Sequence, residues 1–380
     1  MKSSDRNVDS MAGTVARKHR RDPRRSPGLF FLHVLLIVIL LAVACATVAV
    51  RTLGDGERAT RSSTVVLPGG VRAASAEGGL RPLSGPPSPA VALDQALKGK
   101  GYDVPEGANV YAVRVVEGPE GRIYEQYQAG GGALGVDFWP ASSIKVLAAL
   151  GALDFARSLG YSGEATVIFD GDWGPARSLR SIYEPAIRDS SNYDYDLLVR
   201  IAGRDRLNEE FLTAHNGFPV TSISRSYSGL EFEESPAMIL EEGDRRTYVP
   251  VRKAESEAEC DAGNCSNLFE MTESVRRIVL NDHIPAEQRF DLDPRDLQAL
   301  SGALLAAEGF LSDAATRALG AGARVWSKPG DADGLDCLDV AFVESKAGKR
   351  FLVAATVPHS SGGCEVLSRL ARGVLELLSA

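Results

Sequence analysis

The run Pro140-Ala141-Ser142-Ser143-Ile144-Lys145, continuing through Val146, Leu147, Leu150, Leu153 and Phe155, is the most informative stretch of the chain. From Ser142 to about Leu159 its pattern is helical and apolar nearly all round, and a helix with no polar face belongs in an interior. A Ser at a helix N-terminus is usually a cap. That reading leaves Lys145 unexplained, because a lysine one turn into an apolar helix is costly to bury unless it is paired or neutral. Ser142 and Lys145 are three apart and share a face, whereas Ser143 points elsewhere. Desolvation lowers a lysine pKa and makes it a usable base for the neighbouring hydroxyl. The helix dipole favours negative charge at the same end.

Outward from this helix the chain alternates strand, helical block, strand. A short helix is expected around Val91 to Leu97. Residues 109–116 and 122–128 alternate as strands on either side of a turn at Gly118 and Gly121. Helical patterns recur at 176–188, 193–202, 205–214, 267–280 and 293–307, followed by strand patterns at 323–328, 338–344 and 350–357 and a final amphipathic helix at 364–379. The order implies an α/β (α+β) body: a five-stranded antiparallel sheet with a helical lobe inserted between strands 2 and 3. The cleft between lobe and sheet is the natural ligand site.

Two further segments carry chemistry. Ser190-Ser191-Asn192 lies in the helical block, and Lys328-Pro329-Gly330 lies at the end of the third strand pattern. Read alone, the first is an Asx-type loop and the second an ordinary turn with a solvated lysine. Together, in this order, the three segments resemble those of the class A β-lactamases and the related penicillin-binding proteins. These families carry S-x-x-K at a central helix, S-D-N in the helical lobe and K-T-G or K-S-G on the third strand. The resemblance spans about residues 91–380. It implies a β-lactamase-like fold and a serine acyl-enzyme mechanism without metal or organic cofactor. Ser142 would attack an amide carbonyl, Lys145 would take its proton, and Ser190 would relay a proton to the leaving nitrogen. Asn192, Lys328, Gly330 and Asp331 would bind substrate, with the N–H groups of Ser142 and Asp331 as the oxyanion hole. The implied substrates are β-lactams or D-Ala-type amides of peptidoglycan peptides. A D-alanyl peptidase or penicillin-binding protein is the alternative activity, and a non-catalytic wall-binding or sensory domain the alternative class.

The match has departures. Ser191 stands where the family has Asp, Pro329 where it has a hydroxyl residue, and Asp196 where Asn is common. The most important departure concerns turnover: no E-x-x-L-N motif for a deacylation base is present. The region expected to hold it contains Glu231 and Glu233 in an acidic loop, where either Glu is a candidate base or simply solvated. Other catalytic systems fit worse: the five His (19, 33, 215, 283 and 359) form no H-E-x-x-H, and Ser360-Ser361-Gly362 is not a G-x-S-x-G elbow.

The N-terminal part predicts export. Residues 29–50 (LFFLHVLLIVILLAVACATVAV) carry no formal charge. As a helix they span ~33 Å, enough to cross a bilayer core. Residues 1–28 carry +5, so the tail is expected in the cytoplasm and the body outside, at the cell membrane. A cleaved signal peptide and a lipoprotein signal ending at Cys45 are the competing readings, and both also export the body. A signal core is usually ~7–15 apolar residues, which favours the anchor. Residues 51–90, rich in Pro, Gly and Ser, read as a linker. With +5 in the tail and +2 in the linker, the net charge of -8 leaves -15 on residues 91–380, which argues against nucleic acid as a partner. Beyond Cys45 four cysteines remain: Cys260, Cys265, Cys337 and Cys364. An even number in an exported body suggests disulfides, with three pairings open. Zinc is the competing reading, but no His is seen at ligand spacing near either pair.

Overall fold

The computed structural model describes residues 92–380 apart from 119–120, 131–137, 231, 257–259, 261, 285, 287–288 and 333. The basic tail, the expected anchor at 29–50, the linker and Glu231 lie outside the described residues. Among the described residues no helix is long and apolar enough to cross a membrane.

In chain order the elements are α1 (Ala92–Gly99), β1 (Asn109–Gly118), β2 (Gly121–Ala129), a 3₁₀ turn (Ala141–Ile144) leading into α2 (Lys145–Ser158), β3 (Thr166–Phe169), β4 (Arg177–Ser178), α3 (Leu179–Arg188) and α4 (Asn192–Ala202). A helical turn at Arg204–Arg206 and a π-turn at Leu207–Phe211 precede five short strands. These are β5 (Ser222–Ile223), β6 (Glu234–Ser235), β7 (Met238–Glu242), β8 (Arg245–Val249) and β9 (Arg252–Lys253), followed by β10 (Asn264–Cys265). Then come α5 (Leu268–Val279), α6 (Pro294–Ala306), α7 (Leu311–Leu319), β11 (Arg324–Asp331), β12 (Asp336–Glu344), β13 (Arg350–Pro358) and α8 (Gly363–Ser379).

The main sheet has the order β11-β12-β13-β1-β2, antiparallel throughout. It is the expected five-stranded sheet, with the helical lobe entering between its second and third strands in sequence. Both faces are covered. One packs on the lobe through Leu338, Val340, Phe342 and Leu352, the other on α1, α7 and α8 through Val343, Phe351, Val353 and Val357. This is why β12 and β13 are buried along nearly their whole length, where a one-sided sheet would alternate. Helix α2 lies at the centre of the lobe with Leu147 and Leu150 fully buried. Truncating either to Ala would cost about 2–5 kcal/mol.

Side chains fix the helix starts. Ser178, Ser191, Asn267 and Asp293 cap α3, α4, α5 and α6, each accepting a backbone N–H of the first turn. Two expected helices are shorter than their patterns. The one expected from residue 176 begins at Leu179, because Arg177–Ser178 pairs with β3. The one expected at 205–214 is the short helical turn and the π-turn. Helix α7 and the β4-β3-β7-β8 sheet are additions that the sequence patterns do not announce.

Candidate active site

The turn that opens α2 is 3₁₀ from Ala141 to Ile144, so Ser142 and Lys145, three apart, are nearly eclipsed. The backbone N–H of Lys145 bonds to the Ser142 carbonyl. Ser143 faces the other way, fully buried, with its hydroxyl donating to Pro140 O at 2.6 Å. Ser142 is half-exposed. Among the described residues no side chain engages its Oγ, as suits a group that has to reach a ligand.

Lys145 is fully buried, and its Nζ donates to Ser190 O at 2.5 Å, Asn192 Oδ1 at 2.6 Å and Ser190 Oγ at 3.2 Å. Burial, then repulsion from Lys328, lowers its pKa to about 7, against the pull of Asp196 and Asp194. Lys328, also fully buried, donates to the same Ser190 Oγ at 2.9 Å. Burial lowers its pKa to about 8, with Asp339 opposing. Two lysines donating to one hydroxyl occupy both its lone pairs and leave its proton free to be given away.

The backbone is bent to make this possible. Ser190 has φ of 56° and Ala141, just before Ser142, has φ of 45°. Left-handed conformations in non-glycine residues cost of order 1–3 kcal/mol each and persist only when surroundings hold them. At Ser190 both the carbonyl and the hydroxyl meet Lys145.

Lys328-Pro329-Gly330 lies within β11, not in a turn beyond it. β11 is an edge strand, where a proline's missing donor can face away from the ladder. A Cβ on Gly330 would sit 2.8 Å from Pro140 O and 3.2 Å from Ser142 N. Only a glycine lets the strand come this close to the backbone of Ser142. The structure therefore joins Lys145, Ser190, Asn192 and Lys328 in one hydrogen-bonded cluster one turn from Ser142, and sets Gly330, followed by Asp331, against the Ser142 backbone.

The acidic loop behaves differently. Glu233 is exposed, and its charge acts on Arg200 rather than Lys145. The segment that reaches the site is Ser226-Tyr227-Ser228. Asp196, fully buried on α4, accepts from Ser226 Oγ at 2.6 Å, from Tyr227 N and Ser228 N at 2.9 Å each, and from Ser228 Oγ. Asn264 Oδ1 accepts from Ser224 N and Arg225 N, both at 2.9 Å. So held, Tyr227 stacks on Tyr195, donates its hydroxyl to Ala141 O at 2.8 Å and accepts from Trp139 Nε1 at 3.1 Å. Burial pushes its pKa up to about 12, so it stays a neutral phenol. Its ring centroid is 5.7 Å from Lys145 Nζ. The sequence reading missed Tyr227. Its one signal was Asp196, at the position where the resembling families commonly carry Asn.

Both disulfides pair neighbours in sequence, Cys260–Cys265 and Cys337–Cys364. One expectation is corrected here. His359, five residues before Cys364 and 22 after Cys337, places its Nε2 3.5 Å from Cys337 Sγ, so a histidine does stand beside this pair.

The architecture has counterparts among solved structures. PBP-A is 17% identical with a TM-score of 0.53, the match covering 79% of this chain and 98% of that one. The chain has the serine β-lactamase fold. TLA-1 extended-spectrum β-lactamase is 14% identical with a TM-score of 0.53, covering 77% and 99% of the two chains. A class A β-lactamase from Mycobacterium abscessus is 17% identical with a TM-score of 0.51, covering 76% and 100%. A point variant of PBP-A is also known in acyl-enzyme complex with penicillin G. No family model and no curated protein sequence matches the chain. The serine β-lactamase fold places the sheet and lobe; the chemistry of this chain rests on its own side chains.

Proposed function

We propose that the chain is a serine acyl-enzyme hydrolase acting on β-lactams or D-Ala-type amides, and that its acyl-enzyme is long-lived. The observation that carries this reading is Lys145: buried, with its pKa brought down to about 7, and bonded to Ser190 and Asn192 one 3₁₀ turn from Ser142. Neutral Lys145 takes the proton of Ser142, whose Oγ adds to the substrate carbonyl. The N–H groups of Ser142 and Asp331 receive the oxyanion, and such donors are typically worth ~3–4 kcal/mol each. Ser190 gives its free proton to the leaving nitrogen as the C–N bond breaks, and protonated Lys145 restores it. Lys328, while charged, meets the substrate carboxylate, and the exposed Asn192 amide meets the substrate's own amide.

Hydrolysis of the ester needs a water activated by a second base. A neutral phenol at Tyr227 cannot accept that proton, which favours a penicillin-binding or D-alanyl peptidase role over efficient β-lactam hydrolysis. Losing a positioned general base typically costs ~10²–10⁴ in rate. Labelling with a fluorescent penicillin, then following release of the label, tests the reading: a stoichiometric burst and slow release are expected. An unlabelled protein would leave only the non-catalytic alternative.

The uncharged run at 29–50 supports an anchored, extracytoplasmic placement of this domain. Protease added to intact cells is expected to degrade residues beyond 51 and leave a membrane-embedded stub. Recovery of soluble protein starting near Ala46 would contradict the anchor.

A further inference from the structure

Where β11 leaves the main sheet, four side chains able to bind a metal converge. Asp331, Cys337, His359 and Cys364 each bring one donor atom within 4.8 Å of all the others. His359 Nε2 lies 2.8 Å from Asp331 Oδ1 and 3.5 Å from Cys337 Sγ. The backbone holds this histidine in place: its N–H donates to Leu335 O at 2.7 Å. Its ring lies so close to Gly363 that a Cβ there would meet Nδ1 at 2.8 Å. Cys337 is fully buried, His359 and Cys364 are half-buried, and Asp331 is exposed, so the cluster opens to solvent on the Asp331 side.

We propose that this cluster has two states: the Cys337–Cys364 disulfide of the oxidised chain and, after reduction, a four-coordinate zinc site formed by Cys337, Cys364, His359 and Asp331. Two thiolates, an imidazole and a carboxylate make a complete tetrahedral donor set for Zn²⁺. Thiolate ligands disfavour calcium and magnesium, which take oxygen. Neighbouring donors in a tetrahedral zinc site lie ~3.3–3.8 Å apart, so once the disulfide is reduced the two sulfurs must part by ~2 Å, the His359–Asp331 pair opens from 2.8 Å by about half an ångström, and the widest pairs close by about an ångström. The chemistry balances. A dithiol or phosphine reductant supplies two electrons and breaks the Sγ–Sγ bond, and two protons complete the thiols. Binding Zn²⁺ releases those two protons, while His359 coordinates as the neutral ring and Asp331 as the carboxylate. The disulfide and the zinc site exclude each other, because both use the same two sulfurs. Asp331 also ends the strand that lies against Ser142, so the bound ion ties the metal state to the rim of the cleft.

The test uses the full chain in detergent with Cys45, Cys260 and Cys265 changed to Ser, which leaves Cys337 and Cys364 as the only thiols. The chain is reduced with a phosphine, incubated with Zn²⁺ or Co²⁺ alone and freed of excess metal. About one zinc per chain is expected after reduction, and less than about a tenth of that in the oxidised chain. Co²⁺ should give the visible bands of tetrahedral coordination with a thiolate charge-transfer band. His359→Ala and Asp331→Asn should each weaken binding at least tenfold in chains whose circular dichroism is unchanged. Should the triple variant not fold, wild-type chain is compared with Cys364→Ser after reduction, and the variant should lose one equivalent of zinc. A folded, reduced chain that retains no stoichiometric zinc would overturn the proposal. So would zinc held equally well without His359 and Asp331.

Discussion

The hydroxyl of Tyr227 donates to the carbonyl of Ala141 at 2.8 Å, which ties the loop after β5 to the residue that precedes the candidate nucleophile. Ala141 is held at φ of 45°, and this bond is one of the contacts that hold it there. Tyr227→Phe leaves the stacking on Tyr195 in place and removes this bond together with the acceptor of Trp139 Nε1. A stability loss of about 1–3 kcal/mol is expected, with acylation slowed several-fold and release still slow. Denaturant titration and rapid-mixing kinetics with a chromogenic penicillin measure the two. Release that becomes fast in Tyr227→Phe would mean that the phenol blocks a base located elsewhere.

Acylation should follow a bell-shaped pH profile. It rises as Lys145 loses its proton near pH 7 and falls as Lys328 loses its charge near pH 8. Lys328→Met removes the cation that helps lower the pKa of Lys145, so the acid limb should move to higher pH. The same shifts bear on stability. Both lysines have folded pKa values below their unfolded value of about 10.4, so between about pH 7 and 10 the unfolded chain binds more protons and stability rises with pH. Lys145→Met should flatten part of that rise while abolishing acylation. A pH-rate profile with no limb between about pH 6 and 9 would exclude Lys145 as the base.

Asp196 receives two backbone N–H groups and two serine hydroxyls from Ser226, Tyr227 and Ser228. Asp196→Ala leaves buried donors without acceptors, each costing about 1–3 kcal/mol. The expected loss is about 3 kcal/mol or more, with Tyr227 freed and acylation reduced at least tenfold. Asp196→Asn should rescue only partly, because its amide N–H groups would face the N–H of Ser228. Thermal denaturation and the penicillin burst read the two effects separately.

Much of this was legible in the sequence, for identifiable reasons. Ser142 and Lys145 stand at the start of a helix too apolar to lie at a surface, so a lysine there calls for an explanation. The strands of the main sheet announce themselves by alternation in β1 and β2 and by the apolar runs of β12 and β13, the former interrupted only by Asp339. Tyr227 was hidden because its position depends on Asp196 and Asn264, each more than 30 residues away, and no local pattern encodes that. The β7–β8 hairpin was hidden because it is only partly buried, so its residues show no clean alternation. His359 stands only five residues before Cys364, so that spacing was legible; what the sequence hid is its approach to Cys337, because the whole of β13 lies between those two.

The central claim is that Ser142 is acylated, with Lys145 as its base, and that the ester persists. Intact-mass measurement of the full chain, taken over time after a pulse of penicillin, tests it most directly. The account predicts one adduct per chain forming quickly, remaining for many minutes after free penicillin is removed, and mapping to Ser142. It predicts no adduct on Ser142→Ala and a normal one on Ser143→Ala, whose hydroxyl only holds Pro140 O. An adduct on Ser142→Ala, or one that vanishes from the wild-type chain as fast as it forms, would contradict the account.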